Sequence, residues 1–322
     1  MLLGPPRIRC TPVPAVTVVI PARDAAATLG RALAGVAAQD VAHELIVVDD
    51  GSSDATPALA REHGARVLAG AGAGPAAARN LGAAEAGTDA LAFLDADCFP
   101  TPGWLRAGLD ALVRADLVQG AVRADPDAAR GPFDRTLWVT DAWGLFESAN
   151  LFVARATFAR LGGFEGWLGQ ATAKELAEDT WLGWRARRAG LHTAFAPEAL
   201  VHHAVFPRDA RGYVAERARL RFFPALAGRV PELREDFFFA RTFLNRRSAA
   251  FDLALAGTVA AVAARRPAPL LAAAPYAALA VADGRRWGGR ALPRVLAAGV
   301  AADAVGAGAL AWGSARARSV LL

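Results

Sequence analysis

The sequence predicts an α/β fold on a mostly parallel central sheet flanked by helices, followed by a helical, apolar C-terminal region. Three observations carry this. From Val16 to about Phe206, short β-branched runs alternate with alanine-rich stretches of helical length. Acidic clusters stand directly after two of those runs. Beyond Phe206 the composition turns first to Arg and Phe, then to long apolar segments. Strands and helices alternating at this spacing indicate βαβ units, and such sheets hold ligands beyond the carboxyl ends of their strands.

Taken in order, residues 1–15 read as a proline-punctuated tail. It has no apolar h-region, so it is not a secretory signal, and the N-terminal part is expected to be cytosolic. Strands are expected at 16–20 (VTVVI), 44–49 (ELIVVD), 65–69 (ARVLA) and 91–95 (LAFLD), with helices at 26–38, 54–63, 75–86 and 103–114. Residues 16–210 form the main α/β unit, and 211–248 an Arg/Phe-rich helical linker (YVAERARLRFF, REDFFFARTFLNRR). Residues 249–322 form a hydrophobic helical region with apolar stretches at 249–264, 268–282 and 295–313. Each stretch is near or below the ~20 residues needed to span a bilayer, and Asp252 and Asp303 interrupt the first and third.

Composition sets limits. The chain has 322 residues, 54% apolar and 21% charged, which excludes an intrinsically disordered protein. A mean hydropathy of +0.25 brings membrane contact into consideration. The net charge is +5, but Lys174 is the only lysine. Abundant arginine beside abundant alanine fits a genomic base-composition bias, so no nucleic-acid partner is inferred. The two cysteines, Cys10 and Cys98, form no CxxC pair, which argues against a disulfide framework or a structural zinc.

Several constellations could carry chemistry. Asp49-Asp50-Gly51-Ser52-Ser53-Asp54 follows a strand: it is either a capped turn, with Ser53 or Asp54 capping the next helix, or a carboxylate for a ligand N–H such as the imide of uracil. Asp95-Ala96-Asp97 ends the next buried strand, where paired hard oxygen donors suit Mg²⁺ or Mn²⁺ and, through it, a diphosphate. Glu178-Asp179 opens a helix: either a general base or acids placed for the helix dipole. LAGAGAGPAAARN resembles a dinucleotide loop, but Pro75 and Ala77 stand where the GxGxxG spacing needs glycine. Its helix N-terminus could still face a phosphate, with Arg79 one turn on. His203, after the run ALV, is a candidate metal ligand or an ordinary strand-end histidine.

The order of these segments is more specific than any one of them. VTVVIPARDAAATLGRALAGVAAQ, ELIVVDDGSSDAT, GPAAARNLGAAEA, LAFLDADCFPTPGWL, GGFEG, AEDTWLGWRARRAG and ALVHH together resemble family 2 glycosyltransferases of the GT-A fold, over about residues 14–210. The C-terminal part resembles the hydrophobic tails of some bacterial, non-processive members. The resemblance implies that Pro21, Ala22 and Arg23 lie beside the nucleotide and that Asp50, with Asp49 beside it, binds uracil. It further implies Arg79 near the base and diphosphate, Asp95, Asp97 and His203 as ligands of Mg²⁺ or Mn²⁺, Asp179 as catalytic base with Glu178 its neighbour, and Asn150 and Gly163 on the acceptor side. The QxxRW motif of processive synthases is absent, the nearest region reading RARLRFF, and Arg23 replaces an aromatic of the first loop.

The implied activity is inverting transfer of a sugar from a nucleotide-diphospho-sugar, with UDP-sugars first, to an acceptor hydroxyl on a sugar or on a lipid-linked or envelope glycan. The rival readings are a nucleotidyltransferase, for which PARDAAATLG is a poor triphosphate loop, and a non-catalytic sugar-nucleotide-binding membrane scaffold. Arg246, Arg247, Arg285, Arg286 and Arg290 flank the apolar stretches, placing the chain at the cytoplasmic face of the inner membrane. A crossing hairpin, helices lying in the interface and a soluble helical subdomain all remain open at this point.

Overall fold

The computed structural model describes residues 15–168 and 176–322; most of the N-terminal tail lies outside the described residues. The main unit contains β1 (Val16–Ala22), α1 (Ala26–Ala37), β2 (His43–Asp49), α2 (Thr56–Glu62), β3 (Arg66–Ala69), α3 (Pro75–Ala84), β4 (Ala90–Leu94), β5 (Cys98–Pro100) and α4 (Trp104–Leu112). It continues through β6 (Leu117–Ala124), β7 (Asn150–Ala154), α5 (Arg155–Arg160), α6 (Glu178–Arg188) and β8 (Thr193–His203). The sheet order is β3-β2-β1-β4-β7-β6-β8-β5. β7 pairs antiparallel with β4 and β6, and β5 antiparallel with β8, so only these two strands run against the other six.

Alternation along each strand sorts side chains to two faces. Val19, Ile46, Val48, Leu91 and Phe93 point to the face covered by α3 and α6. Val18, Ile20, Val47, Ala92 and Leu94 point to the face covered by α1, α2 and α4. The helices are patterned to match: α1 buries Leu29, Ala32, Leu33 and Val36, the i, i+3, i+4, i+7 stripe of a helix on a core. α4 lies against β7 so closely that a Cβ on Gly108 would come 2.2 Å from the Phe152 ring.

β7 begins with Asn150, expected on the acceptor side. Its side chain is instead fully buried and fully used by the framework. Oδ1 accepts the Trp104 indole N–H at 2.8 Å, and Nδ2 donates to the carbonyls of Ala121 (2.8 Å) and Ala199 (2.7 Å). These bonds satisfy backbone groups freed by the irregularity in the β6–β8 register between Gly120 and Ala121.

The C-terminal part starts with α7 (Ala210–Glu216), a 3-10 segment (Arg217–Phe222), α8 (Phe223–Arg229) and α9 (Leu233–Asp236). It ends with α10 (Arg246–Ala264), a 3-10 segment (Ala268–Ala273), α11 (Ala274–Arg285) and α12 (Leu292–Ala317). Two helices, α10 and α12, are long and apolar enough to cross a membrane. The third apolar stretch is longer than its sequence limits suggested: α12 has 26 residues, about 39 Å at ~1.5 Å per residue. The second stretch divides into a 3-10 segment and a 12-residue helix, neither of which is long enough by itself to cross a bilayer.

α12 does not stand apart. Leu310 joins the buried cluster of Val19 and Phe93, and Gly313 lies against the Arg221 backbone, where a Cβ would meet its carbonyl oxygen at 2.1 Å. Asp303, the acid inside this stretch, is held by Arg247 (2.7 Å) and accepts the Tyr276 hydroxyl (2.8 Å). Arg247 also pairs with Asp283 at 2.8 Å, so one guanidinium ties α10, α11 and α12 together.

Asn150→Ala would leave three buried polar groups without partners. The expected loss is roughly 3 kcal/mol or more of unfolding free energy, read as a lower denaturation midpoint. An unchanged midpoint with weakened acceptor binding would restore the acceptor-side role.

Candidate active site

The carboxyl ends of β1, β2, β4 and β8 share one edge of the sheet, and the acidic motifs leave from it. The first two loops are knitted together. Asp24, held left-handed at φ 48°, accepts Ser53 N–H (2.7 Å) and Oγ–H (2.9 Å). These bonds lower its pKa. Asp54 Oδ2 accepts Ala26 N–H at 3.1 Å. Asp54 also serves its own helix, its Oδ1 accepting the N–H of Thr56, the first residue of α2, at 2.9 Å, so it caps α2 while bracing the start of α1, and Ser53 braces the neighbouring loop through Asp24. Pro21 is half-buried, Ala22 buried and Arg23 exposed at the rim of this loop.

Asp49 and Asp50 have different tasks. Asp49 Oδ1 accepts Ser52 N–H at 3.2 Å within the turn. Asp50 is buried and crosses to the start of α3, where Oδ2 accepts Gly74 N–H at 2.8 Å. Its Oδ1 is buried with no hydrogen-bond partner among the described residues. A buried acceptor of that kind is costly unless something donates to it.

Arg79, on α3, is turned into the protein. One of its nitrogens lies 2.5 Å from Asp95 Oδ1 and another 3.5 Å from Glu178 Oε1, all three side chains being largely buried or half-buried. Burial alone would depress the guanidinium pKa, but Asp95, Glu178 and Asp179 together raise it. Arg79 therefore joins the acid after β4 to the acid that opens α6. Its guanidinium also lies 5.6 Å from the Phe164 ring. Gly163 precedes that ring at φ +67°, where a Cβ would meet Asn80 Oδ1 at 2.6 Å. Asn80 clamps Phe164 by both backbone groups, at 2.8 and 2.9 Å. Gly163 thus serves the placement of Phe164 beside Arg79.

Asp97, Cys98 and His203 bring ligand atoms within 4.8 Å of one another. Asp97 Oδ2 lies 3.4 Å from His203 Nε2. His203 Nδ1 is 2.6 Å from the Ala204 carbonyl, which can only accept, so Nδ1 carries a proton and Nε2 is the ring nitrogen that faces Asp97. Burial, then the Asp95 charge, pushes the Asp97 pKa up, against the pull of His203 and Arg135. Cys98 is fully buried, and its thiol is pushed well above its usual range by burial and the two aspartates. A carboxylate and a neutral imidazole suit a divalent cation such as Mg²⁺ or Mn²⁺, whereas a protonated thiol does not. Asp95 is drawn toward Arg79 instead and stands outside this cluster.

Asp179 lines a cavity of about 600 Å³. Its Oδ2 accepts Ser148 N–H at 3.1 Å and its Oδ1 accepts Thr180 N–H at 2.7 Å. Burial, then the charges of Glu178 and Glu147, raises its pKa to about 8. Glu147 lines the same cavity and is raised by burial to about 7. Sequence reasoning missed Glu147 and also Thr136, whose Oγ1 is 3.3 Å from His203 Nδ1. Neither lies in a motif: both come from the connection between β6 and β7, and only the fold brings them to the site.

Residues 17–160 match the family model for glycosyl transferase family 2. The pre-mycofactocin glycosyltransferase of Mycobacterium tuberculosis (strain CDC 1551 / Oshkosh) is 32% identical over 224 residues, 63% of this chain and 45% of that protein. Glycosyltransferase AglE of Haloferax volcanii is 34% identical over 121 residues, 34% of this chain and 40% of that protein. The chain thus spans less than half the length of these relatives. In fold it is similar to the mannosyltransferase PcManGT of Pyrobaculum calidifontis, solved with GDP-Man and Mn²⁺, with a TM-score of 0.50 at 24% identity over 96% of this chain and 81% of that one. The motif order, the mixed sheet with its acidic edge and these matches agree: residues 17–160 are similar to glycosyl transferase family 2, and the fold is of the GT-A type.

Proposed function

We propose that this chain transfers a sugar from a nucleotide-diphospho-sugar to an acceptor hydroxyl, inverting the anomeric centre. The observation that carries the reading is one sheet edge holding Asp50 with an open buried oxygen, the Asp97–His203 pair, and Asp179 on a cavity wall. Asp50 Oδ1 accepts an imide N–H of the nucleobase, uracil first, at the rim formed by Pro21, Ala22 and Arg23. Asp97 and His203 would hold Mg²⁺ or Mn²⁺, with Asp95 close by, and the cation would supply Lewis-acid neutralisation of the leaving diphosphate. Asp179 takes the proton of the acceptor hydroxyl as its oxygen bonds to C1 and the C1–O bond to the diphosphate breaks. A base with a pKa near 8 is well matched to that proton. Glu178 and Arg79 keep Asp179 and Asp95 in register.

The acceptor cavity runs from Asp179 to Leu220 and Phe223 on the C-terminal segment, which favours an acceptor with an apolar part, such as a lipid-linked or envelope glycan. The same region supports membrane association at the cytoplasmic face. Leu253, Val259 and Val262 on α10 and Val300 and Trp312 on α12 are exposed. Because α12 packs along α7 and Arg217–Phe222, helices lying in the interface fit better than helices crossing it.

Three outcomes are expected. In a screen of nucleotide-sugars by release of nucleoside diphosphate, UDP-sugars should lead GDP-mannose, chelator should abolish turnover, and Asp97→Asn should cost on the order of 10²–10³-fold in kcat. Donor binding without turnover would favour the scaffold reading, and full turnover in excess chelator would remove the metal.

Asp179→Asn should keep donor affinity and lose ~10²–10⁴-fold in kcat. Since the base works only when ionised and burial raises its pKa, wild-type kcat/KM should climb with pH and level off above about 8. A profile flat between pH 6 and 9 would contradict this assignment.

In fractionation, the full chain should pellet with membranes and be released by alkaline carbonate. Retention after the wash would indicate crossing helices, and recovery in the soluble fraction would overturn membrane association.

A further inference from the structure

The cavity beside Asp179 carries charge that the transfer chemistry does not use. Four arginines line it: Arg135, Arg208, Arg217 and Arg219. Glu216 pairs with Arg208 and, at 3.6 Å, with Arg219. Asp134 is engaged by backbone N–H groups of Gly131 (2.5 Å) and Arg208 (3.4 Å). Arg135 acts at a distance on Asp97, whose pKa its charge lowers, and Arg217 forms no ion pair with an acid among the described residues. The other two acids in the lining are Glu147 and Asp179, which burial holds partly protonated near neutral pH.

Arg217 is half-buried and already oriented: it donates to the Tyr213 hydroxyl at 3.0 Å and lies 5.0 Å from that ring. A preoriented guanidinium facing a cavity suits a phosphate or phosphodiester, which it can grip with two parallel N–H bonds. Beyond it the wall is apolar, formed by Leu220, Phe222, Phe223 and Leu226. Arg217 and Leu220 also border a second, smaller cavity against α10 and α12, so the apolar end lies toward the C-terminal helices.

We infer that this cavity is a binding site for an anionic amphiphile, with its phosphate on Arg217 and its apolar body along Leu220, Phe223 and Leu226. The inference rests on the glycosyltransferase reading only in taking this amphiphile as the acceptor, whose hydroxyl is presented to Asp179. Binding itself requires no turnover.

The test is calorimetric titration of the full chain with n-octyl phosphate, n-octanol and inorganic phosphate, with nucleoside diphosphate binding measured on each variant. Octyl phosphate should bind at least tenfold more tightly than either fragment. Arg217→Gln should weaken it by about tenfold or more, and Arg217→Lys by less, with nucleotide affinity unchanged in both. Octanol binding equally well would remove the anionic subsite, and inorganic phosphate binding equally well would leave a free-phosphate site in its place. An unaffected Arg217→Gln would also overturn the inference. The wild-type titrations decide the matter even if both variants fail to fold. No octyl phosphate binding alongside intact nucleotide binding sinks this inference alone, whereas loss of nucleotide binding in the wild type sinks the glycosyltransferase reading.

Discussion

The site depends on one buried guanidinium. Arg79 is 4% exposed and stands between Asp95 and Glu178, which come from distant parts of the chain. Taking such charges out of water costs several kcal/mol per ion unless they are paired. Here the pairing also fixes position, because Asp95 leads into the Asp97–His203 pair and Glu178 precedes Asp179. The cation is in turn held from behind by Phe164, which Asn80 clamps because Gly163 leaves room. The two acidic motifs are thus registered against each other through α3, the helix between them in neither sequence nor chemistry.

Burial then separates the acids by task. Asp54 and Asp24, at the exposed rim, are lowered by backbone and hydroxyl donors and act as braces. Asp97, Glu147 and Asp179 are raised, and in each case burial is the largest cause. A low-dielectric wall with few compensating donors is what keeps a carboxyl near neutrality, the condition a proton acceptor needs. The same wall continues into the C-terminal segment, so the helices after residue 210 belong to the environment of Asp179 as much as to any membrane surface. Arg247, gripping Asp283 and Asp303, holds three of those helices as one unit and gives the acid within α12 its partner.

The main strands and helices were legible because the residues themselves alternate. β-branched runs buried on both faces, separated by alanine-rich helices with an i, i+3, i+4, i+7 stripe, admit few other arrangements, and the acids that end the strands fall where a parallel sheet puts its ligands. The positions of Asp50, Asp97, His203 and Asp179 on the sheet edge proposed as the site were legible for the same reason: each sits at an element end, with a motif around it. Asn150 was misplaced because position relative to a motif does not reveal whether a side chain faces a ligand or a neighbouring strand. Its amide faces a register irregularity that is absent from the local sequence. Glu147, Thr136 and Arg217 were invisible as site residues because each belongs to a connection or linker with no periodicity, and its neighbours are supplied by β8, α6 and α7. Local sequence determined which segments become strands and helices and where their carboxyl ends carry acid, since propensity and patterning act over a few residues. Tertiary structure alone decided which acids are paired, which are raised and what lines the cavity, since burial and Coulomb interaction depend on groups brought together across the fold.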